Sequence, residues 1–222
     1  SAASDVYKRQ LYLYPLIAIA AMLAIVFVMD LPHMHKPKQQ LSQTIRIPAG
    51  QRAQMDLPDG SIVWLNSQTT LTYDENFGKK DRKVTLDGEA YFEVAHNKEI
   101  PFYVQTENIK VQVTGTKFDV CSYKGSNSFI ARLIEGSINL LTNNAKEEKP
   151  ITSLTKGKYF SMENGKYKTG EMSSNNALAW MQGIYYFDDV PFKELLDKIA
   201  LYYNYKITVK NPKILELSLI HI

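Results

Sequence analysis

From Thr44 onward the chain is a succession of short alternating apolar and polar segments cut by turn residues, and this pattern limits the fold more than any other feature. The segments include Ser61-Ile62-Val63-Trp64-Leu65, Lys83-Val84-Thr85-Leu86, Ala90-Tyr91-Phe92-Glu93-Val94 and Lys110-Val111-Gln112-Val113. Phe129-Ile130-Ala131-Arg132-Leu133-Ile134 and Ser137-Ile138-Asn139-Leu140-Leu141 continue them. A two-residue period puts alternate side chains on opposite faces of a strand. Pro58-Asp59-Gly60, Asp87-Gly88, Glu135-Gly136 and Asn164-Gly165 supply turn chemistry between the runs. No helical period interrupts them before residue 172, so residues 44–172 are expected to form an all-β domain, a sandwich, barrel or solenoid.

Two flanking regions differ in texture. Leu11 to Met29 (LYLYPLIAIAAMLAIVFVM) carries no charge. As a helix it matches the thickness of a bilayer's hydrocarbon core. Tyr12 and Tyr14 sit where amphipathic rings favour the interface. No small-x-small cleavage site follows the run, which argues for a membrane anchor over a signal peptide. Residues 30–43 are polar and dotted with prolines, and read as a linker.

Residues 173–216 change again. Ala177 to Gly183 reads as a short helix or connector carrying Trp180, and Ile184-Tyr185-Tyr186-Phe187 as a strand. Pro191 opens a helix in the first-turn position it favours. Phe192, Leu195, Leu196, Ile199 and Tyr203 fall on one face of it, the expected core side. Tyr205 to Lys210 (YKITVK) reads as a second strand. Two strands are too few to cover such a helix, so this is the truncated start of a small α/β module. An edge strand there could accept a strand from a partner, which makes Tyr185 and Phe187 candidate partner-docking residues.

The two ends suggest why the module is cut. One DNA segment, CTGTCTCTTATACACATCT, encodes Leu-Ser-Leu-Ile-His-Ile, and its reverse complement encodes Asp-Val-Tyr-Lys-Arg-Gln. These are Leu217 to Ile222 and Asp5 to Gln10. The segment resembles a sequencing-library transposase adapter, so residues 1–10 and 217–222 are expected to lie outside the gene.

Composition excludes little chemistry outright. The formal net charge is +3, with Lys8 and Arg9 inside the suspected adapter, so charge makes no case for direct nucleic-acid binding. Cys121 is the lone cysteine, which rules out an intrachain disulfide, and its alternating setting suggests a packed strand residue. His33 and His35 are too few for a metal site. Glu89 and Glu93 share one strand face, read as the wet side of a sheet whose dry side is Ala90, Phe92 and Val94. There is no nucleophile elbow, P-loop, zinc-protease motif or dinucleotide fingerprint. No catalytic residue, cofactor or metal is therefore assigned, and no enzyme activity is expected.

Five blocks in order, LPDGSIVWLNSQTTLTY at 57–73, GEAYFEVAHNKEIPFYVQT at 88–106, VQVTGTKFDVCSY at 111–123, ARLIEGSINLL at 131–141 and AWMQGIYYFDDVPFKELLDKIALYYNYKI at 179–207, resemble the FecR family of transmembrane anti-sigma regulators. The style of 180–191 is similar to the Bacteroidota branch. The chain departs from the family at Val113-Thr114-Gly115-Thr116, where Leu commonly precedes Gly-Thr. Lys156-Gly157-Lys158 likewise replaces the usual Pro-Gly-Gln. The resemblance implies a single-pass protein of the bacterial inner membrane with its β-domain in the periplasm. It implies that 173–216 is similar to the secretin and TonB short N-terminal module. It also implies two partners: an extracytoplasmic-function sigma factor, held by a segment upstream of this chain, and a TonB-dependent outer-membrane receptor loaded with an iron chelate or a glycan. The alternative is a membrane-anchored β-domain that binds envelope glycan and has no sigma partner.

Overall fold

The computed structural model describes residues 18–27, 41–143, 148–172, 175–187 and 190–219. Residues 1–40 and 41–222 are two separate compact units. In the first, residues 18–27 are helical (α1), and every side chain from Ala18 to Phe27 is exposed. Among the described residues no helix is long and apolar enough to cross a membrane. The remainder of the expected span, with His33 and His35, lies outside the described residues.

The second unit is built on thirteen strands, β1 (Ser42–Arg46), β2 (Ala53–Asp56), β3 (Ile62–Leu65), β4 (Thr70–Asp74), β5 (Arg82–Glu93), β6 (Phe102–Gln105), β7 (Ile109–Val113), β8 (Lys117–Ser122), β9 (Ser128–Glu135), β10 (Ser137–Thr142), β11 (Pro150–Thr155), β12 (Lys158–Glu163) and β13 (Lys166–Glu171). Strand β5 organises them. Its first half pairs with β4 and β6, and its second half with β3 and β8. The first half belongs to a layer ordered β1-β4-β5-β6-β7-β10-β11, the second to a layer ordered β2-β3-β5-β8-β9-β12-β13. The sheet thus curls about β5 until its two halves face each other. Strands distant in sequence are neighbours, which settles the open choice of architecture for a curled, sandwich-like sheet over a solenoid.

The two inner faces share one core, with Leu71, Val84, Leu86, Val104, Val111 and Leu140 from one half and Val63, Leu65, Ala90, Val120, Leu133 and Phe160 from the other. Phe92 bridges them, stacked on Phe118 at 5.1 Å and edge-on to Phe102 at 5.9 Å. Each fully buried side chain of this size contributes about 1.5–3 kcal/mol. The seam therefore accounts for much of the reason the sheet closes on itself.

Two expectations about β5 are corrected. Lys83–Leu86 and Ala90–Val94 are not separate strands joined by an Asp87-Gly88 turn. They are one strand of 12 residues, and Gly88 is its bend, with φ +132°. A side chain there would meet Thr69, whose Cα lies 2.7 Å from the Cβ position. Only glycine lets the strand pass Thr69 as it moves from one layer to the other. By contrast, Asn164-Gly165 is the predicted hairpin turn. Both residues have positive φ, and they join β12 to β13 as a two-residue loop.

The parallel pairing of β5 with β6 needs a crossover. The second half of β5 and residues 94–101 provide it. Arg82, only 2% exposed, fastens the return. Its guanidinium donates to the carbonyls of Ile100 (2.6 Å), Ala95 (2.7 Å) and Asn97 (3.1 Å), and to Asp59 Oδ2 (3.2 Å).

After β13 the chain forms a 3₁₀ segment, Asn175–Gln182, with Trp180 buried, as expected of the connector. Residues 184–187 and 205–210 are not strands. Their alternation is real, with Ile184 and Tyr186 exposed and Phe187 buried, but among the described residues no strand lies alongside to complete a ladder. Helix α2 (Phe192–Tyr203) starts at Pro191 and ends on Asn204 in the left-handed conformation. Its apolar stripe does not enter the core. No residue of α2 is buried, and Ile199 and Tyr203 are 38% and 53% exposed. Val190–Pro191 (β14) pairs with Ser218–Leu219 (β15), so part of the segment read as adapter is in a small ladder.

Candidate functional site

The outer face of the second sheet half carries an unusual row of charge. Strand register places Glu89 beside Cys121 and Cys121 beside Ile130; one step along, Tyr91, Asp119, Arg132 and Tyr159 are neighbours. Glu89 is only 4% exposed, so the expected wet face is covered at this point. The cover is formed by residues 180–187 and 190–198, which with the sheet line a cleft of about 610 Å³. Glu93, further along the same strand face, remains partly exposed and pairs with Lys117 at 3.4 Å.

Three charged side chains meet under this cover. Arg132 donates to Asp119 Oδ2 at 2.6 Å and lies 3.9 Å from Glu89 Oε1. Glu89 Oε2 also accepts from Asn66 Nδ2 at 2.6 Å. Lys198 of α2 lines the same cleft. Attraction to Glu89 is the main cause holding its ammonium pKa above the ordinary value. Cys121 is half-buried, and desolvation pushes its thiol up to about 12, which keeps it protonated.

Asp119 is fully buried, and its Oδ1 has no hydrogen-bond partner. Burial pushes its carboxyl up to about 7, against the pull of Arg132. The fold therefore favours the protonated form. This group's contribution to stability is complete below the ordinary carboxylate value and is lost as pH rises through about 7. Urea unfolding at a series of pH values should show the wild-type chain losing stability relative to Asp119→Asn over that range. A difference that stays flat would mean that Arg132 keeps Asp119 ionised throughout.

The cover is held by polar contacts. Tyr185 donates its hydroxyl toward Asn66 Oδ1 at 3.5 Å and accepts from Asn66 Nδ2 at 3.3 Å. Arg52 donates to the Trp180 carbonyl at 2.5 Å. The end of α2 is tied down by Gly50 N–H to the Tyr202 carbonyl (2.7 Å), Ser67 Oγ to the same carbonyl (2.5 Å), Tyr202 hydroxyl to the Gly50 carbonyl (3.0 Å), and Gln68 Nε2 to the Leu201 carbonyl. Of the predicted docking residues, Tyr185 is thus half-buried and bonded to the β-domain, and Phe187 is buried. Asn66, Asp119, Arg132 and Lys198 were not singled out from the sequence. The available signal was a lone charge inside an apolar strand, at Asp119 and again at Arg132, whose pairing across two strands only the register reveals. Among the described residues no group of three or more His, Cys, Asp or Glu could hold a metal ion.

This architecture defines a class: a curled β-domain with a helical appendage docked on its outer face. Residues 43–139 match the family described as FecR protein. Two crystal structures of a candidate anti-sigma factor from Parabacteroides distasonis are similar over most of their length. One is 25% identical with a TM-score of 0.69, covering 81% of this chain and 83% of that one. The other is 24% identical, also with a TM-score of 0.69, covering 80% and 82%. No curated protein matches.

Proposed function

We propose that this chain is the sensing part of a transmembrane anti-sigma regulator, with the β-domain and its docked appendage receiving a signal and an upstream segment restraining an extracytoplasmic-function sigma factor. The observation that carries this reading is the FecR match over residues 43–139, reinforced by the shared fold of the Parabacteroides protein. Helix α1 supports the anchor. It is apolar on every side and exposed on every side, an arrangement suited to lipid. The anchor runs from Leu11 to Met29, in the bacterial inner membrane. The β-domain lies in the periplasm, since large domains translocate regardless of nearby lysines such as Lys36 and Lys38.

The signal comes from a TonB-dependent outer-membrane receptor, and the appendage after residue 173 is the receptor-facing module, similar to the secretin and TonB short N-terminal domain. Docking through Tyr185 and Phe187 then requires the segment to leave Asn66. The genomic DNA flanking this chain tests the reading. The expected result is a frame that continues upstream into a cytoplasmic segment, with a sigma-factor gene and a receptor gene nearby. A gene that begins just before Leu11, with neither neighbour, would overturn it in favour of an anchored binding domain.

A further inference from the structure

The end of α2 is seated on a corner of the sheet, where the chain passes from one layer to the other. Strand β3 lies in the second layer and β4 in the first, so the chain changes layer at residues 66–69, and β5 changes layer at Gly88. These two crossings are bonded to each other. The Asn66 amide donates to the Glu89 carbonyl at 2.9 Å, and Asn66 Nδ2 to Glu89 Oε2 at 2.6 Å. The Thr69 hydroxyl accepts from the Glu89 amide at 3.0 Å and donates to the Glu89 carbonyl at 3.1 Å. Asn66, Ser67 and Thr69 are all buried, so losing one of these bonds leaves a polar group unpaired away from water.

The other side of the same turn holds the helix. Ser67 Oγ donates to the Tyr202 carbonyl at 2.5 Å and accepts from the Gly50 amide at 2.9 Å, and Gln68 Nε2 donates to the Leu201 carbonyl. Both carbonyls belong to the last turn of α2, the end of a helix that calls for donors from outside. The Thr69 amide meets the Asn66 carbonyl at 3.3 Å and closes a tight turn in which Gln68 has φ +57°. Glycine is usual at such a position. A glutamine there is worse for the turn alone, and its amide is what reaches α2. We propose that the turn at residues 66–69 is the joint between the appendage and the β-domain, so that the seating of α2 and the bend of β5 stabilise each other. Coupling of this kind requires a shared element that both sides bias, and the turn is bonded to both. The joint rests on contacts of this chain alone and holds whether or not the chain regulates a sigma factor.

The test is residue-resolved hydrogen exchange on the whole chain in detergent. Gln68→Gly removes the amide that reaches Leu201 while giving the turn the residue its backbone prefers. A turn that served only the β-domain would be relieved by this change, and the Glu89 amide would exchange no faster than in the wild type. The joint predicts the opposite. The Glu89 amide, bonded to Thr69 Oγ1, should exchange about tenfold faster, together with the Gly50 amide bonded to the Tyr202 carbonyl. Gln68→Asn should act in the same direction, because asparagine tolerates the left-handed conformation without glycine's added chain freedom, yet its amide is one methylene shorter.

Coupling is reciprocal, so the joint is also tested from the inside. Thr69→Val removes the hydroxyl that holds Glu89 and should speed exchange at the Gly50 amide by a similar factor. Thr69→Ser keeps the hydroxyl and should leave Gly50 as slow as in the wild type. All rates are read against amides of β10 and β11, strands that pair with neither β4 nor β5. A Glu89 amide unchanged in Gln68→Gly and Gln68→Asn would overturn the joint, leaving a seat that holds α2 and passes nothing on. An equal rise across β10 and β11 would overturn it too, as general destabilisation.

Discussion

Replacing Arg82 with methionine is expected to lower the melting temperature by roughly 10 °C. Arg82 is 2% exposed, and the side chain of its partner Asp59 is 5% exposed. Removing the guanidinium leaves Asp59 buried without its cation, along with three carbonyls from the loop that carries the chain back beside β5. Breaking a buried pair of this kind costs about 3–5 kcal/mol. Each kcal/mol corresponds to about 2–4 °C in a domain of this size. Thermal unfolding followed by circular dichroism measures it. Arg82→Lys should recover only part of the loss, because a single ammonium cannot reach four acceptors with the geometry of a guanidinium. A shift of only a degree or two for Arg82→Met would mean that the return loop is held by other contacts.

Gly88→Val should be comparably damaging by a different route. The new Cβ would lie 2.4 Å from Thr69 Oγ1 and 2.7 Å from Thr69 Cα, in a backbone conformation with φ +132° that a β-branched residue resists. Thr69 cannot give way freely. Its hydroxyl accepts from the Glu89 amide at 3.0 Å and donates to the Glu89 carbonyl at 3.1 Å. Overpacking and strain together should cost roughly 2–5 kcal/mol. Gly165→Ala gives the contrast, since nothing lies within 4 Å and only the positive φ of +77° opposes it. Its cost should stay near 1 kcal/mol. If urea unfolding gave the two variants equal stability, β5 would not be a continuous strand bending at Gly88.

The difference between these glycines explains what the sequence could and could not disclose. Asn164-Gly165 sits between two alternating runs, and a local turn satisfies both, so reading it as a hairpin succeeds. Asp87-Gly88 has the same local appearance. Its conformation is instead decided by Thr69, nearly twenty residues away, and by the choice of β5 to serve two layers. Local chemistry names a glycine as special but cannot say whether the chain turns or merely bends there. Arg82 was hidden for a similar reason. It occupies an inward position at the start of a strand, where charge usually signals exposure, and the four acceptors that make it tolerable come from two other loops.

The appendage shows the limit from the other side. The 3.6-residue period correctly gave a helix opened by Pro191, but not which face would dock. Amphipathicity identifies the side that avoids water when a partner is present. On α2 the contact with the β-domain is made instead by Tyr202 and by the carbonyls of Leu201 and Tyr202, which accept from Gly50, Ser67 and Gln68. The runs at 184–187 and 205–210 alternate as strands do. They remain unpaired among the described residues, because a ladder depends on a neighbour and not on alternation alone.

The most direct test of the regulatory account is a sigma-dependent reporter in the native host, carrying the complete gene to which this chain belongs. Deleting that gene should change the reporter's response to the inducing nutrient. Restoring it with Tyr185→Pro in place should weaken the response relative to the wild-type gene, with the protein still present in the membrane at normal level. A reporter indifferent to deletion of the gene would contradict the anti-sigma reading itself. A reporter that responds to deletion but not to Tyr185→Pro would leave that reading standing and place receptor docking elsewhere than the segment after residue 173.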